Sequence, residues 1–370
     1  MKFIIKKEIL LENIIITAKA LSSKNLIPIL GGIKFDLKEE GLYLIASDND
    51  ITIQTFIDKS KIESISEIGD IVIPGKYIVE IIRKIPSDTI KIEKTDGNKI
   101  FVSFKNGEFN INGMEATEFP KLDLEITENP VYLKIDKFKE IINETVFAIS
   151  SSESRPILTG INFRINKNLL DCYATDSYRL AKKTIEINSV LENVNIVIPG
   201  RNIVEFKNIL NDSDKEVELH IFDNKILFKK ENILFQSKLL NGNYPEVSKL
   251  IPNEFKINIE INTSDLYSMI DRASLLSNDR DKVIIRLELA NSIINISSNT
   301  PELGKVVEYI DVKCEDNITI SFVSKYMLEA LKSFCSRKVF LCFNEEDKPF
   351  ILKDENDNIL VQLILPIKTY

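Results

Sequence analysis

Apolar and polar positions along the chain follow two rhythms. Short runs alternate residue by residue, as in Leu42-Tyr43-Leu44-Ile45-Ala46 and Ile51-Thr52-Ile53-Gln54-Thr55, the pattern of strands that bury one face. Other stretches place apolar residues at helical spacing. Phe138, Ile141, Ile142, Thr145 and Ile149 form one stripe, with Asp136 placed to cap it. Later, Met327, Leu328, Leu331 and Phe334 share one side of a shorter helix, with Lys325, Glu329, Lys332 and Ser336 opposite. The expected fold class is α+β, with antiparallel sheets backed by helices.

The pattern repeats. Ile71-Val72-Ile73-Pro74-Gly75-Lys76-Tyr77-Ile78-Val79-Glu80 returns as Ile196-Val197-Ile198-Pro199-Gly200-Arg201-Asn202-Ile203-Val204-Glu205. Pro28-Ile29-Leu30 returns as Pro156-Ile157-Leu158, Ala46-Ser47-Asp48 as Ala174-Thr175-Asp176, and Phe119-Pro120 as Tyr244-Pro245. The offsets are 125 to 128 residues, a whole domain rather than a solenoid unit of about 20 to 50 residues. A fainter third copy runs through Ile320-Ser321-Phe322-Val323-Ser324-Lys325-Tyr326-Met327-Leu328-Glu329, with Ser297-Ser298-Asn299 where the Ala-Ser-Asp step falls. Three domains, 1–127, 128–252 and 253–370, are expected to pack end to end, because no Gly/Ser linker separates them. Each has two helices.

Composition then removes functions. No run reaches the ~18 apolar residues of a membrane span, and Met1–Glu8 lacks the core of a signal peptide. Four cysteines without a CxxC pair fit a reducing cytoplasm. The single histidine, His220, sits in a strand-like stretch with no acidic or cysteine companion expected nearby. Metal and His-based nucleophilic chemistry are therefore not expected, and no metal or cofactor is implied. Asp48 with Asp50, or Asp171 with Asp176, could be paired carboxylates, but they read as turn residues. Ile73-Pro74-Gly75-Lys76 lacks the GxxxxGK[ST] frame of a phosphate loop. The chain is not expected to be an enzyme.

A formal net charge of −8 argues against the usual basic nucleic-acid patch, yet the helical segments together are basic. The first sets Lys6, Lys7, Lys19 and Lys24 against Glu8 and Glu12, the second Lys76, Arg83 and Lys84 against Glu80. The last sets Lys325, Lys332, Arg337 and Lys338 against Glu329, while the segments around Glu140 and Asp271 are slightly acidic. Two readings stay open. Either these are ordinary solvated faces, or all six helices share one surface that meets phosphates.

The motifs Pro28-Ile29-Leu30, Ile73-Pro74-Gly75-Lys76, Ala174-Thr175-Asp176-Ser177-Tyr178-Arg179-Leu180-Ala181, Ser237-Lys238-Leu239, Asn243-Tyr244-Pro245 and Leu363-Ile364-Leu365-Pro366-Ile367 span the chain in order. On these residues the sequence resembles the bacterial DNA polymerase III beta subunit family, the replicative sliding clamps. The resemblance implies a DNA-clamp fold and a head-to-tail homodimer ring. Such a ring encircles duplex DNA without sequence specificity and acts as a processivity factor in DNA replication. The implied partners are the DNA polymerase III catalytic subunit, the clamp loader and other proteins carrying clamp-binding motifs. By position, Lys24, Lys76, Arg155, Arg201, Lys325 and Lys332 are the implied DNA-binding residues. After Arg155, Pro156-Ile157 stands where some members carry an aromatic pair, so no stacking contact is expected there.

The implied pocket for linear motifs uses Leu158, Thr175, Tyr178, Arg179, Leu180, Pro245, Val247, Leu250, Leu363, Leu365, Pro366 and Ile367. Its aliphatic walls suit Leu and Phe anchors, although core packing would explain each aliphatic equally. The implied joint sets Phe109, on an edge strand, against Leu275 and Leu276 of the partner chain. An alternative is a clamp paralogue that uses the pocket as a scaffold and does not encircle DNA.

Overall fold

The computed structural model describes residues 1–22, 27–211, 215–277, 283–354 and 359–368. Among them are six α-helices: α1 (Lys7–Ala18), α2 (Gly75–Lys84), α3 (Ile135–Thr145), α4 (Gly200–Lys207), α5 (Thr263–Ala273) and α6 (Ser324–Lys332). That is two per sequence repeat. The chain gathers into two compact units, Met1–Ile135 with Glu205–Leu239, and Asp136–Val204 with Leu240–Tyr370.

The first unit holds two antiparallel sheets. One runs Ile62–Glu67, Lys2–Lys6, Thr89–Thr95, Lys99–Phe104, Gly107–Asn112 in spatial order. The other runs Val131–Lys134, Glu216–Ile221, Lys225–Lys230, Ile233–Lys238, Ile51–Asp58, Gly41–Ser47, Gly32–Leu37, Gly69–Pro74. In that second sheet the last strand of repeat two pairs with a strand of repeat one, Ser237 opposite Ile51. Helix α1 packs on Ile51–Asp58 and beside α2. Its buried stripe, Leu10, Asn13, Ile14 and Thr17, includes two polar residues, and both are satisfied: Thr17 Oγ1 lies 3.0 Å from Thr55 Oγ1, and Asn13 Oδ1 accepts from Asn232 Nδ2 at 2.9 Å.

The second unit repeats the plan. Its eight-stranded sheet runs Val194–Pro199, Gly160–Asn166, Leu169–Thr175, Arg179–Glu186, Leu360–Ile364, Phe350–Lys353, Lys338–Phe343, Ile257–Asn262. A four-stranded sheet runs Gly304–Asp311, Ile293–Thr300, Ile284–Ala290, Ile318–Val323. Repeat three's last strand pairs here with repeat two, Leu180 opposite Leu363.

The recurring Pro-Gly step has a steric reason. A Cβ on Gly75 would stand 2.2 Å from Leu21 Cδ1, and one on Gly200 2.3 Å from Ile149 Cδ1. The first residue of each second helix lies against the preceding chain, and repeat three fills this place with buried Ser324. Three local expectations need correction. Asp136 does not cap α3; it lies in the first turn of a helix that begins at Ile135. Ile149 falls beyond α3, after the 3-10 turn Val146–Ala148, and Phe334 and Ser336 lie beyond the end of α6. Asp171 is in the strand Leu169–Thr175, not a turn, and accepts from Thr184 Oγ1.

Candidate functional site

Sheet register brings together most of the residues expected at the motif pocket, and it packs the aliphatic ones into a buried cluster. Thr175 pairs with Leu180, Leu180 with Leu363, and Leu363 with Ile351, so one same-face row crosses four strands. Leu158, from the 3-10 turn Pro156–Thr159, and Val247, from Val247–Leu250, pack into a cluster with Tyr173, Leu180, Tyr244 and Leu363, and Leu365 lies against it. Leu250 is 56% exposed at the far end of its turn, and Pro245 is exposed beside buried Tyr244. The tail is anchored by Leu365 N–H donating to Tyr178 O at 2.9 Å and Ile367 N–H to Ser321 O at 2.7 Å, which leaves Leu365, Pro366 and Ile367 half-buried.

The wall beside this row is ionic. Asp176 Oδ1 accepts from the backbone N–H groups of Tyr178 and Arg179 at 2.9 and 3.1 Å, a local carboxylate turn. Ser177 takes φ of 80° there. Arg179 is 8% exposed and fully engaged. Its Nε donates to Asp176 Oδ2 at 3.0 Å, and its other nitrogens reach Glu329 of α6 and Phe147 O. The guanidinium also sits 4.6 Å from the Tyr326 ring centroid. Arg179 therefore holds the wall in place and presents no free fork. Tyr178, 62% exposed, stacks on Tyr326 with centroids 6.5 Å apart, and burial raises the Tyr326 phenol above its ordinary pKa. The contacts of Tyr326 and Glu329 with Tyr178 and Arg179 were not legible, because they come from a helix about 150 residues away, with nothing local to mark them.

Three of the six basic positions are repeat-equivalent. Lys76, Arg201 and Lys325 are each the second residue of the second helix of their repeat, the first two exposed and Lys325 half-buried. Lys332 ends α6, exposed, with its ammonium 5.5 Å from the Tyr267 ring centroid. Arg155 is exposed just before Pro156–Thr159. Lys24 lies outside the described residues. The acidic count around α3 has a structural cause. Lys183, 3% exposed, is held by Glu140 Oε1 at 2.8 Å and Glu144 Oε2 at 2.9 Å. Those carboxylates balance a strand lysine and are not a free acidic face.

Of the positions expected at a joint, Phe109 is on an edge strand and Leu275 and Leu276 follow α5. Phe109, 41% exposed, lies on the edge strand Gly107–Asn112 and stacks on Phe104 at 6.1 Å. In the other unit, Gly304–Asp311 is an edge strand with Val307 and Tyr309 53% and 75% exposed. Leu275, 48% exposed, follows α5, and Leu276 is half-buried. His220 lies in the strand Glu216–Ile221, and its expected isolation is corrected: Glu218 Oε2 is 3.2 Å from Nε2, and Thr127 N–H donates to Nδ1 at 3.0 Å. Burial lowers its pKa, which suits a neutral, structural imidazole. Asp48 Oδ1 accepts from the N–H groups of Asp50 and Ile51 at 3.0 and 2.9 Å, so its carboxylate is spent on a turn.

Repeated antiparallel sheets, each backed by helices and paired across sequence repeats, are the architecture of the clamp class. Family models of the DNA polymerase III beta subunit match its N-terminal domain at residues 1–123, its central domain at 132–246 and its C-terminal domain at 248–368. The beta sliding clamps of Staphylococcus epidermidis and Staphylococcus aureus are 39% and 38% identical over all of both chains. The structures of the Bacillus subtilis DNA polymerase sliding clamp and the Streptococcus pneumoniae DNA polymerase III beta chain superpose with TM-scores of 0.95 and 0.94, at 40% and 33% identity over 100% of each chain. The chain belongs to the DNA polymerase III beta subunit family, and its function is that of a replicative sliding clamp.

Proposed function

We propose that two copies of this chain, each of three domains over 1–127, 128–252 and 253–370, close head to tail into a ring around duplex DNA. The ring tethers the replicative polymerase in the cytoplasm and catalyses nothing itself. The observation that carries the reading is the recurrence of a cation at the second residue of the second helix in all three repeats, Lys76, Arg201 and Lys325. Together with Lys24, Arg155 and Lys332 these residues meet phosphates weakly and without base contacts, and enclosure supplies the retention that affinity does not. The joint pairs the edge strand of Phe109 with that of Val307 and Tyr309, plugged by Leu275 and Leu276.

The pocket around Leu158, Thr175, Tyr178, Leu180, Pro245, Val247, Leu250, Leu363, Leu365, Pro366 and Ile367, braced by Arg179, takes linear motifs of the polymerase, the clamp loader and other partners. The alternative of a scaffold that does not encircle DNA is weakened by the pairing of Glu140 and Glu144 with Lys183, which accounts for one of the two acidic segments.

The test is topological. Loaded by a clamp loader and ATP, the protein should co-elute with nicked circular DNA and be lost when the circle is linearised. Equal retention on both forms would overturn encirclement. A mass of one chain at micromolar concentration would overturn the ring.

A further inference from the structure

The pocket's floor continues into a second row that is basic. Two residues on from Leu180, Leu363 and Ile351, on the same face, stand Lys182, Val361 and Lys353, with Lys182 opposite Val361 and Val361 opposite Lys353. Same-face rows lie about 7 Å apart, and the two lysines start two strand spacings, about 10 Å, from each other. Between them is a cleft of about 300 Å³, floored by Ile351 and Val361 and edged by Ile251 and Phe255. All four apolar residues belong to or pack on the cluster that forms the pocket, so the cleft and the pocket share one surface.

Charge around the row is unbalanced. Lys182 is 3.8 Å from Asp171, beyond hydrogen-bonding reach, and stands over the Tyr173 ring at 5.9 Å. Lys353 has no carboxylate partner among the described residues. Glu246, in the loop before the cleft, is taken up by Arg164, and Glu254 lies between the lining residues Asn253 and Phe255. Lys182 thus holds one loose ion pair and Lys353 none among the described residues, so the row can take a further carboxylate over an apolar floor, where partly desolvated contacts to a carboxylate gain most.

We infer that Lys182 and Lys353 form an acid-reading step beside the motif pocket, which recognises a carboxylate side chain about two residues from the apolar anchor of an extended partner segment. The inference rests on the pocket reading above and names the chemistry that ranks partners sharing the same anchor. Two residues of extended chain span the same distance as two residues of the strand beneath it, which sets the register.

The test uses two fluorescent peptides with amidated C-termini that share a Leu-Phe anchor. One carries Asp two residues out on both flanks and the other Asn. Anisotropy titration of the full-length protein should give about fivefold tighter binding of the acidic peptide at low salt, shrinking as ionic strength rises. That ratio should fall to one in the Lys182→Gln, Lys353→Gln double variant and persist in Lys182→Arg, Lys353→Arg, with the asparagine peptide as each protein's internal reference. Equal affinity of the two peptides for the natural protein would overturn the basic step and leave the pocket standing. Binding of neither peptide would overturn the pocket and the step together. Loss of the acidic advantage to an unlabelled single-stranded oligonucleotide, with the asparagine peptide still bound, would overturn the step in favour of a phosphate-reading row.

Discussion

At Ser47–Ile51, and again at Thr175–Arg179, the chain makes one turn with the same bonds. Asp48 and Asp176 each accept two backbone N–H groups, Asn49 and Ser177 each take φ of 80°, and the next repeat's last strand joins alongside. Lys238 N–H donates to Asp50 O at 2.9 Å in the first unit, and Leu365 N–H to Tyr178 O at 2.9 Å in the second. The side chains then diverge on both faces of the sheet. On the outer face, Thr52 bonds Ser47 Oγ at 2.8 Å where Leu180 is apolar, and Gln54 stands where Lys182 is. On the helix face, a neutral Thr17–Thr55 pair occupies the place of Lys183 with Glu140 and Glu144. One backbone frame thus carries a Ser–Thr hydroxyl pair and a neutral threonine contact in the first unit, and an apolar row backed by a buried charge cluster in the second.

Making the second turn resemble the first should cost most on the helix face. Lys183→Thr leaves Glu144 and Glu140 without their shared cation, and should lower stability by about 3 to 5 kcal/mol in urea unfolding. Next comes the outer face. Leu180→Thr should cost about 2 to 4 kcal/mol and weaken a Leu-Phe peptide by more than about tenfold, read by calorimetry. If peptide affinity is unchanged, the motif lies elsewhere.

At the joint, Leu275→Ala with Leu276→Ala should shift sedimentation towards the monomer by about tenfold in dimer affinity; an unchanged dimer at low concentration would remove these leucines from it. Acid should act on the two units unequally. The pKa of Glu140 is held below its ordinary 4.5 by Lys137 and Lys183, against the opposing effect of burial. The stability it supplies is present above pH 4.5 and is lost as pH falls through the lowered value. Amides of Arg179–Glu186 should therefore lose hydrogen-exchange protection in acid before those of Ile51–Asp58. The smallest effect is expected for Thr55→Val, about 1 kcal/mol, because it removes one neutral hydroxyl contact.

Much of this was legible beforehand for a local reason. Alternation over 42–46 and 51–55 marked two strands that run Gly41–Ser47 and Ile51–Asp58, and helical spacing marked α3 and α6. The turn roles of Asp48 and Asp176 followed from their position in the repeat. Where a prediction failed, the cause was a helix boundary or a pairing that the local pattern does not report. Asp171 lies within a strand because Leu169–Thr175 pairs on both sides. The acidic stretch of α3 is balanced by Lys183 on a strand, and His220 meets Glu218 because alternate residues share a face.

The sequence by itself determined three repeats, their helices and strands, the Pro-Gly steps, and a set of aliphatic residues that suit either a core or a pocket. Tertiary structure decided which of these they became. Only pairing between repeats lines up Leu180, Leu363 and Ile351, sets Lys182 and Lys353 across Val361, and brings Tyr326 and Glu329 to Tyr178 and Arg179. Periodicity reports which face of an element is buried; it carries no information on which other face that element meets, because that contact is chosen by register over more than a hundred residues of intervening chain.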